Sequence, residues 1–159
     1  MQSTGLLFTI AQIAVGLAGF SAIIVTLNPR PIREWDDTDR LNLRTLIQLS
    51  IYVIFFSLLP PLLSISLDNH LVWLCALWVY GLIHIADASF FLMNLTKDMP
   101  TLFRNSASCG VVVALAQLLI AWQGNDIARE TMFVFALIWH LGVVFMAFVL
   151  LLYKLRKNE

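Results

Sequence analysis

Charge is scarce in this chain. Lysine, arginine, aspartate and glutamate make up 13% of its 159 residues, about half of what a soluble domain carries. The formal net charge is zero, so the basic footprint of a nucleic-acid binder is missing and no nucleic-acid partner is expected. Cysteine is limited to Cys75 and Cys109, too few for a disulfide framework. Both read as small apolar packing residues. The chain has no glycine-rich phosphate loop, no HExxH and no GxSxG, which removes the sequence signals for nucleotide, zinc-protease and serine-hydrolase chemistry. It begins MQST and ends KLRKNE, neither of which is a lipidation box. The expectation is a protein that is not an enzyme, with no cofactor and no metal.

What the chain has instead is oil. Apolar residues reach 60% and the mean hydropathy is +0.83, which points to the lipid bilayer as solvent. A helix needs about 20 mostly apolar residues to cross roughly 30 Å of hydrocarbon. Five stretches meet or approach that length, at about 5–27, 45–67, 71–95, 106–123 and 131–153. They are read as helices because open sheet edges cannot be satisfied in lipid, and because none alternates with period two. The fold class is therefore all-α: a polytopic membrane protein of five transmembrane helices forming one domain, 1–159, with no soluble domain.

Sidedness follows from the basic residues. Arg30, Arg33, Arg40 and Arg44 fall between the first two spans, Lys97 and Arg104 between the third and fourth, and Lys154, Arg156 and Lys157 after the fifth. Only Arg129 falls on the other side. The positive-inside rule then puts the N-terminus out and the C-terminus in. The first span follows MQSTG, which has no basic residue, so it reads as a retained helix rather than a cleaved signal. The expected location is the plasma membrane, in a bacterium the inner membrane. Trp35, Trp73, Trp122 and Tyr153 fall near span ends and read as headgroup anchors. Pro60 and Pro61 withhold amide donors from the carbonyls of residues 56 and 57, so a kink is expected. Asn94-Leu95-Thr96 matches a glycosylation sequon but falls on the inner side.

The cytoplasmic loop, 28–44, is the one sizeable polar segment. Pro29 and Pro31 end the first helix, and Asp36 or Asp37 can cap the next. Asp36, Arg40, Arg44 and Gln48 then follow at four-residue spacing on one face, with an Asp36–Arg40 pair in the favourable order. A solvated face is one reading. The other makes Arg40, Arg44 and Gln48 the cytoplasmic mouth of an oligomeric pore. In the first helix, Ala14, Ala18 and Ala22 form a small-xxx-small ridge of the kind that lets helices approach closely. Gln12, Gly16, Gly19 and Ser21 are the candidates there for pore lining or subunit contact.

Polar groups at mid-depth are the main functional clue. Tyr80, His84, Asp87, Phe91 and Asn94 recur at spacings of four and three, forming one stripe of the third span. His140 is at mid-depth in the fifth span. Gln117 is at mid-depth in the fourth, on a face with Gly110, Ala114 and Ala121. A charged group there costs about 2.5–3.5 kcal/mol on insertion scales, so these groups are expected to face protein or water. The ion-pathway candidates are His84, Asp87, His140, Gln117, Tyr80 and Asn94. The leading expectation is a homo-oligomeric channel or pore for ions or protons. One alternative is a non-enzymatic accessory subunit that binds a larger membrane protein. Another is a redox subunit holding haem or metal between His84 and His140, although no haem-attachment motif is present.

Overall fold

The computed structural model describes residues 3–28, 30–95 and 101–157, with side chains to Lys154. Pro29, Thr96 and Lys97 lie outside the described residues, as do the side chains of Arg156 and Lys157. Among the described residues there are five α-helices and no strand: α1 (Thr4–Leu27), α2 (Asp37–Leu63), α3 (Asn69–Asn94), α4 (Thr101–Gln123) and α5 (Asp126–Lys157). A single 3₁₀ turn, Ile32–Glu34, lies between α1 and α2. All five helices are long and apolar enough to span a bilayer. Large apolar side chains such as Phe8, Phe20, Ile51, Phe55, Phe90 and Phe145 are exposed. In water such faces would aggregate; in lipid they meet their natural solvent.

The helices are longer than the apolar runs that reveal them. α2 begins eight residues before the expected span, α4 and α5 five before theirs. Hydropathy sees only the part in lipid, whereas helix boundaries are set by caps. Asp36 Oδ1 accepts the Asp39 amide at 2.9 Å, Asp68 Oδ1 the Leu71 amide at 2.9 Å, and Asn125 Oδ1 the Ala128 amide at 2.9 Å. α2 runs through both prolines and ends at Leu63, four residues short of the expected limit, in turns closed by bonds such as Leu67 N to the Leu63 carbonyl at 3.0 Å. α4 ends at Gln123, and the amide of the next residue, Gly124, bonds the Ile120 carbonyl at 2.8 Å. A Cβ on Gly124 would stand 2.5 Å from that carbonyl oxygen, so glycine is required at this stop.

The chain forms two compact groups, Gly5–Leu58 with Leu137–Glu159, and Met1–Thr4 with Leu59–Ala136. The first group is built on an apolar cluster of Leu17 and Ile24 from α1, Leu43, Leu46 and Leu49 from α2, and Val144, Ala147 and Leu151 from α5. Trp35 joins this cluster, 5% exposed, with its indole N–H donating to the Arg30 carbonyl at 2.9 Å. It packs inside the protein rather than anchoring in headgroups. Lys154 reaches from α5 to the carboxylates of Asp36 and Asp39, the latter at 2.8 Å.

The expected Asp36–Arg40 pair is not the one formed. Asp36 is the cap, so its carboxylate turns onto the helix end and toward Lys154, and Arg40 pairs with Asp37. The bond from Lys154 is the main influence holding the Asp36 carboxyl below its ordinary pKa, against a smaller upward push from burial.

The second group is built on α3, α4 and the start of α5. Trp73, Tyr80 and Phe133 stack edge to face, with Phe133 5.7 Å from Trp73 and 5.3 Å from Tyr80. Trp73 is therefore fully buried, a core residue and not the interfacial anchor its position suggests.

Candidate functional site

The buried residues of α3 are Val72, Trp73, Ala76, Leu77, Tyr80, Gly81, His84 and Ala88. They recur at three- to four-residue spacing and define one face. On α4 the buried face is Phe103, Ala107, Gly110, Ala114, Gln117 and Ala121, small residues along most of its length. The two helices pack closely where α3 carries Gly81. A Cβ at that position would stand 2.9 Å from Leu118 Cδ2 and 3.3 Å from Gln117 Cβ. This approach brings two polar side chains together three residues further along α3. His84 Nδ1 lies 2.6 Å from Gln117 Oε1. A side-chain amide oxygen only accepts, so Nδ1 carries the proton in this arrangement.

Gln117 is fully buried, His84 is 3% exposed and Tyr80 1%. Tyr80 stacks on the His84 ring at 6.0 Å and donates its hydroxyl to the Ala136 carbonyl at 3.2 Å. The amide nitrogen of Gln117 has no acceptor among the described residues. An N–H held this deep without a partner costs about 1–3 kcal/mol. The site is thus an imidazole bonded to a buried amide, the amide nitrogen short of one hydrogen bond, and a tyrosine stacked on the ring.

The expected stripe continues along α3 beyond this centre. Asp87 is half-buried, one turn beyond His84. Asn94 is exposed and turns its amide back onto the Phe90 carbonyl at 2.7 Å, a local bond that closes its donor on its own helix. His140 is buried at 4% exposure on α5, in the other group. Among the described residues no three or more histidine, cysteine or acidic side chains converge as a metal would need.

The α1 candidates separate onto two faces. Gln12, Gly16 and Gly19 are exposed together, and a Cβ on either glycine would meet nothing within 4 Å. Ser21, nine residues from Gln12 and so about 180° around the helix, is buried and donates to the Ala18 carbonyl at 2.6 Å. Ala22 is exposed, so Ala14, Ala18 and Ala22 do not form the packing ridge. The buried ridge is Leu7, Ile10, Ala11, Ala14, Leu17, Ser21 and Ile24. At the other end of the polar map, Arg40 and Arg44 are exposed, and Gln48 donates to the Tyr52 hydroxyl at 3.3 Å.

One cluster has no counterpart in the sequence reading. Arg129 is only 7% exposed. Its Nε donates to the Ala121 carbonyl at 3.3 Å and its Nη1 to Asp126 at 3.3 Å. Asp126 also takes His70 Nδ1 at 2.8 Å, and Ser3 bonds Glu130 through its amide and its hydroxyl. The i, i+3 spacing of Asp126 and Arg129 was the available signal; the reach to His70 crosses 56 residues and is not local. No protein-family model matches this chain, and neither does any curated protein or solved structure.

Proposed function

We propose that the chain is an ion or proton channel that works as a homo-oligomer, with the His84–Gln117 pair as a polar step of its path. The observation that carries this reading is the Gln117 side chain: completely buried in a span, bonded to His84 on one side, and short of an acceptor on the other. The imidazole can take up only the oxygen end of the amide, so the nitrogen end needs an acceptor from elsewhere. A donor left over supports a role in meeting a passing water or ion. Asp87, one turn on in the same helix, adds a carboxyl group to the α3 stripe. Purified protein in liposomes carrying an internal pH or ion dye tests it. The expected result is flux that Gln117→Leu and Asp87→Asn reduce. If the protein leaves flux at the level of empty liposomes and Asp87→Asn changes no measured activity, the reading fails.

A second reading is supported by α1. Gln12, Gly16 and Gly19 share an exposed side where helix backbones can approach closely. An accessory subunit would use that face to hold a larger membrane protein. It predicts crosslinks from Gln12→Cys to another polypeptide in native membranes, and none to a second copy.

A further inference from the structure

Hydroxyl side chains inside membrane helices usually bond a carbonyl three or four residues back. In this chain Thr9 bonds the Gly5 carbonyl at 2.9 Å, Ser21 the Ala18 carbonyl at 2.6 Å and Thr26 the Ala22 carbonyl at 2.8 Å. Two serines of α2 behave differently. Ser50 and Ser57 are fully buried, and neither hydroxyl has a hydrogen-bond partner among the described residues. Asn42 on the same helix is also buried, with Oδ1 unpartnered. Successive residues of a helix are about 100° and 1.5 Å apart. Asn42, Ser50 and Ser57 therefore share an arc of about 80°, and Ser50 and Ser57, the two within the apolar run, lie about 10 Å apart along the axis.

Ser57 has a second deficit, written into the covalent chain. In an α-helix its carbonyl would accept the amide of residue 61, and in a 3₁₀ turn the amide of residue 60. Both residues are proline and neither has an amide hydrogen. Ser57 thus presents a carbonyl oxygen deprived of its two ordinary donors beside a buried hydroxyl with no partner. One water molecule answers both, donating to the carbonyl and bonding the hydroxyl, and internal waters settle where they find at least two such partners. A cation would find only this hydroxyl and carbonyl on the residue, with no carboxylate.

We infer that Ser57 is a buried water-binding site. Ser50 is a further step on the same face, about 10 Å along the helix axis, and Asn42 continues that face beyond the apolar run. This inference does not rest on the channel reading.

Isotope-labelled protein in deuterated lipid bilayers tests it by solid-state NMR, through the rate at which water magnetisation reaches each serine. Exposed Ser66 is the wet reference, and buried, back-bonded Ser21 is the dry one. Ser57 and Ser50 are expected to fill at the rate of Ser66. Pro61→Ala returns an amide to the Ser57 carbonyl and should slow Ser57 toward the rate of Ser21. Filling of Ser57 at the Ser21 rate in the unaltered chain overturns the proposal, and so does a Pro61→Ala chain in which Ser57 stays as fast as before. Should Pro61→Ala fail to fold, the comparison of Ser57 with Ser21 in the unaltered chain decides alone.

Discussion

Gln117 couples stability to its neighbour in a way a double-mutant cycle can read. Gln117→Leu leaves the His84 Nδ1–H buried without its acceptor and should cost about 1–3 kcal/mol. Replacing His84 by Phe as well removes both partners, and most of that loss should return. Denaturant titration in mixed micelles measures each step; a loss in the double variant equal to the sum of the two single losses would mean the pair is not coupled. Gly81 makes the complementary case. A valine there would drive branched carbons into Leu118 and Gln117, an over-packing cost of about 1–3 kcal/mol. The same titration would show it, together with loss of flux if the pair is a step in a path. Gln117 and His84 were legible in the sequence because polar residues are conspicuous in oily runs. Gly81 was not, because nothing local distinguishes a glycine at a helix contact from one facing lipid. The exposed Gly16 and Gly19 show the other outcome.

The elements divide in the same manner. Five helices could be read from hydropathy alone, since lipid leaves a spanning chain few other choices. Their ends could not, because caps such as Asp68 and Asn125 lie outside the apolar runs. Trp35 and Trp73 were misplaced for a related reason: a tryptophan near a span end suits headgroups and suits a core, and only packing decides. Trp35→Ala should strip the inner end of the first group of an aromatic body, at about 3–5 kcal/mol, and expose the 28–40 segment to protease; an unchanged digestion pattern would refute this. Asp36 offers a pH test. Its carboxyl is held low mainly by the bond from Lys154. The stabilisation it gives is present above the ordinary carboxylate pKa and disappears as pH falls through the depressed folded value. Asp36→Asn should therefore lower the melting temperature at pH 7, and the gap from the unaltered chain should close in strong acid. A gap that persists at pH 2 would assign the effect to something other than this ion pair.

For the whole molecule, the arrangement of basic residues leads to a topology prediction. An impermeant thiol reagent applied to intact cells should label a cysteine added at the N-terminus and spare one added at the C-terminus, both in a chain with Cys75 and Cys109 replaced. Labelling of both ends would remove the odd number of crossings and the sidedness of the arginines with it. Self-association belongs to this scale as well. Gly19→Leu on the exposed side of α1 should lower the particle mass in mild detergent if copies meet there. The apolar cluster of the first group also bears on how the protein is made. Leu17, Ile24, Leu43, Leu46 and Leu49 are completed by Val144, Ala147 and Leu151, which are made about a hundred residues later. At roughly 5–20 residues per second, α1 and α2 wait about 5–20 s for α5. During that interval their unfinished seam is open to insertase and chaperone. A message truncated before residue 144 should yield nascent chains that quality-control proteases clear.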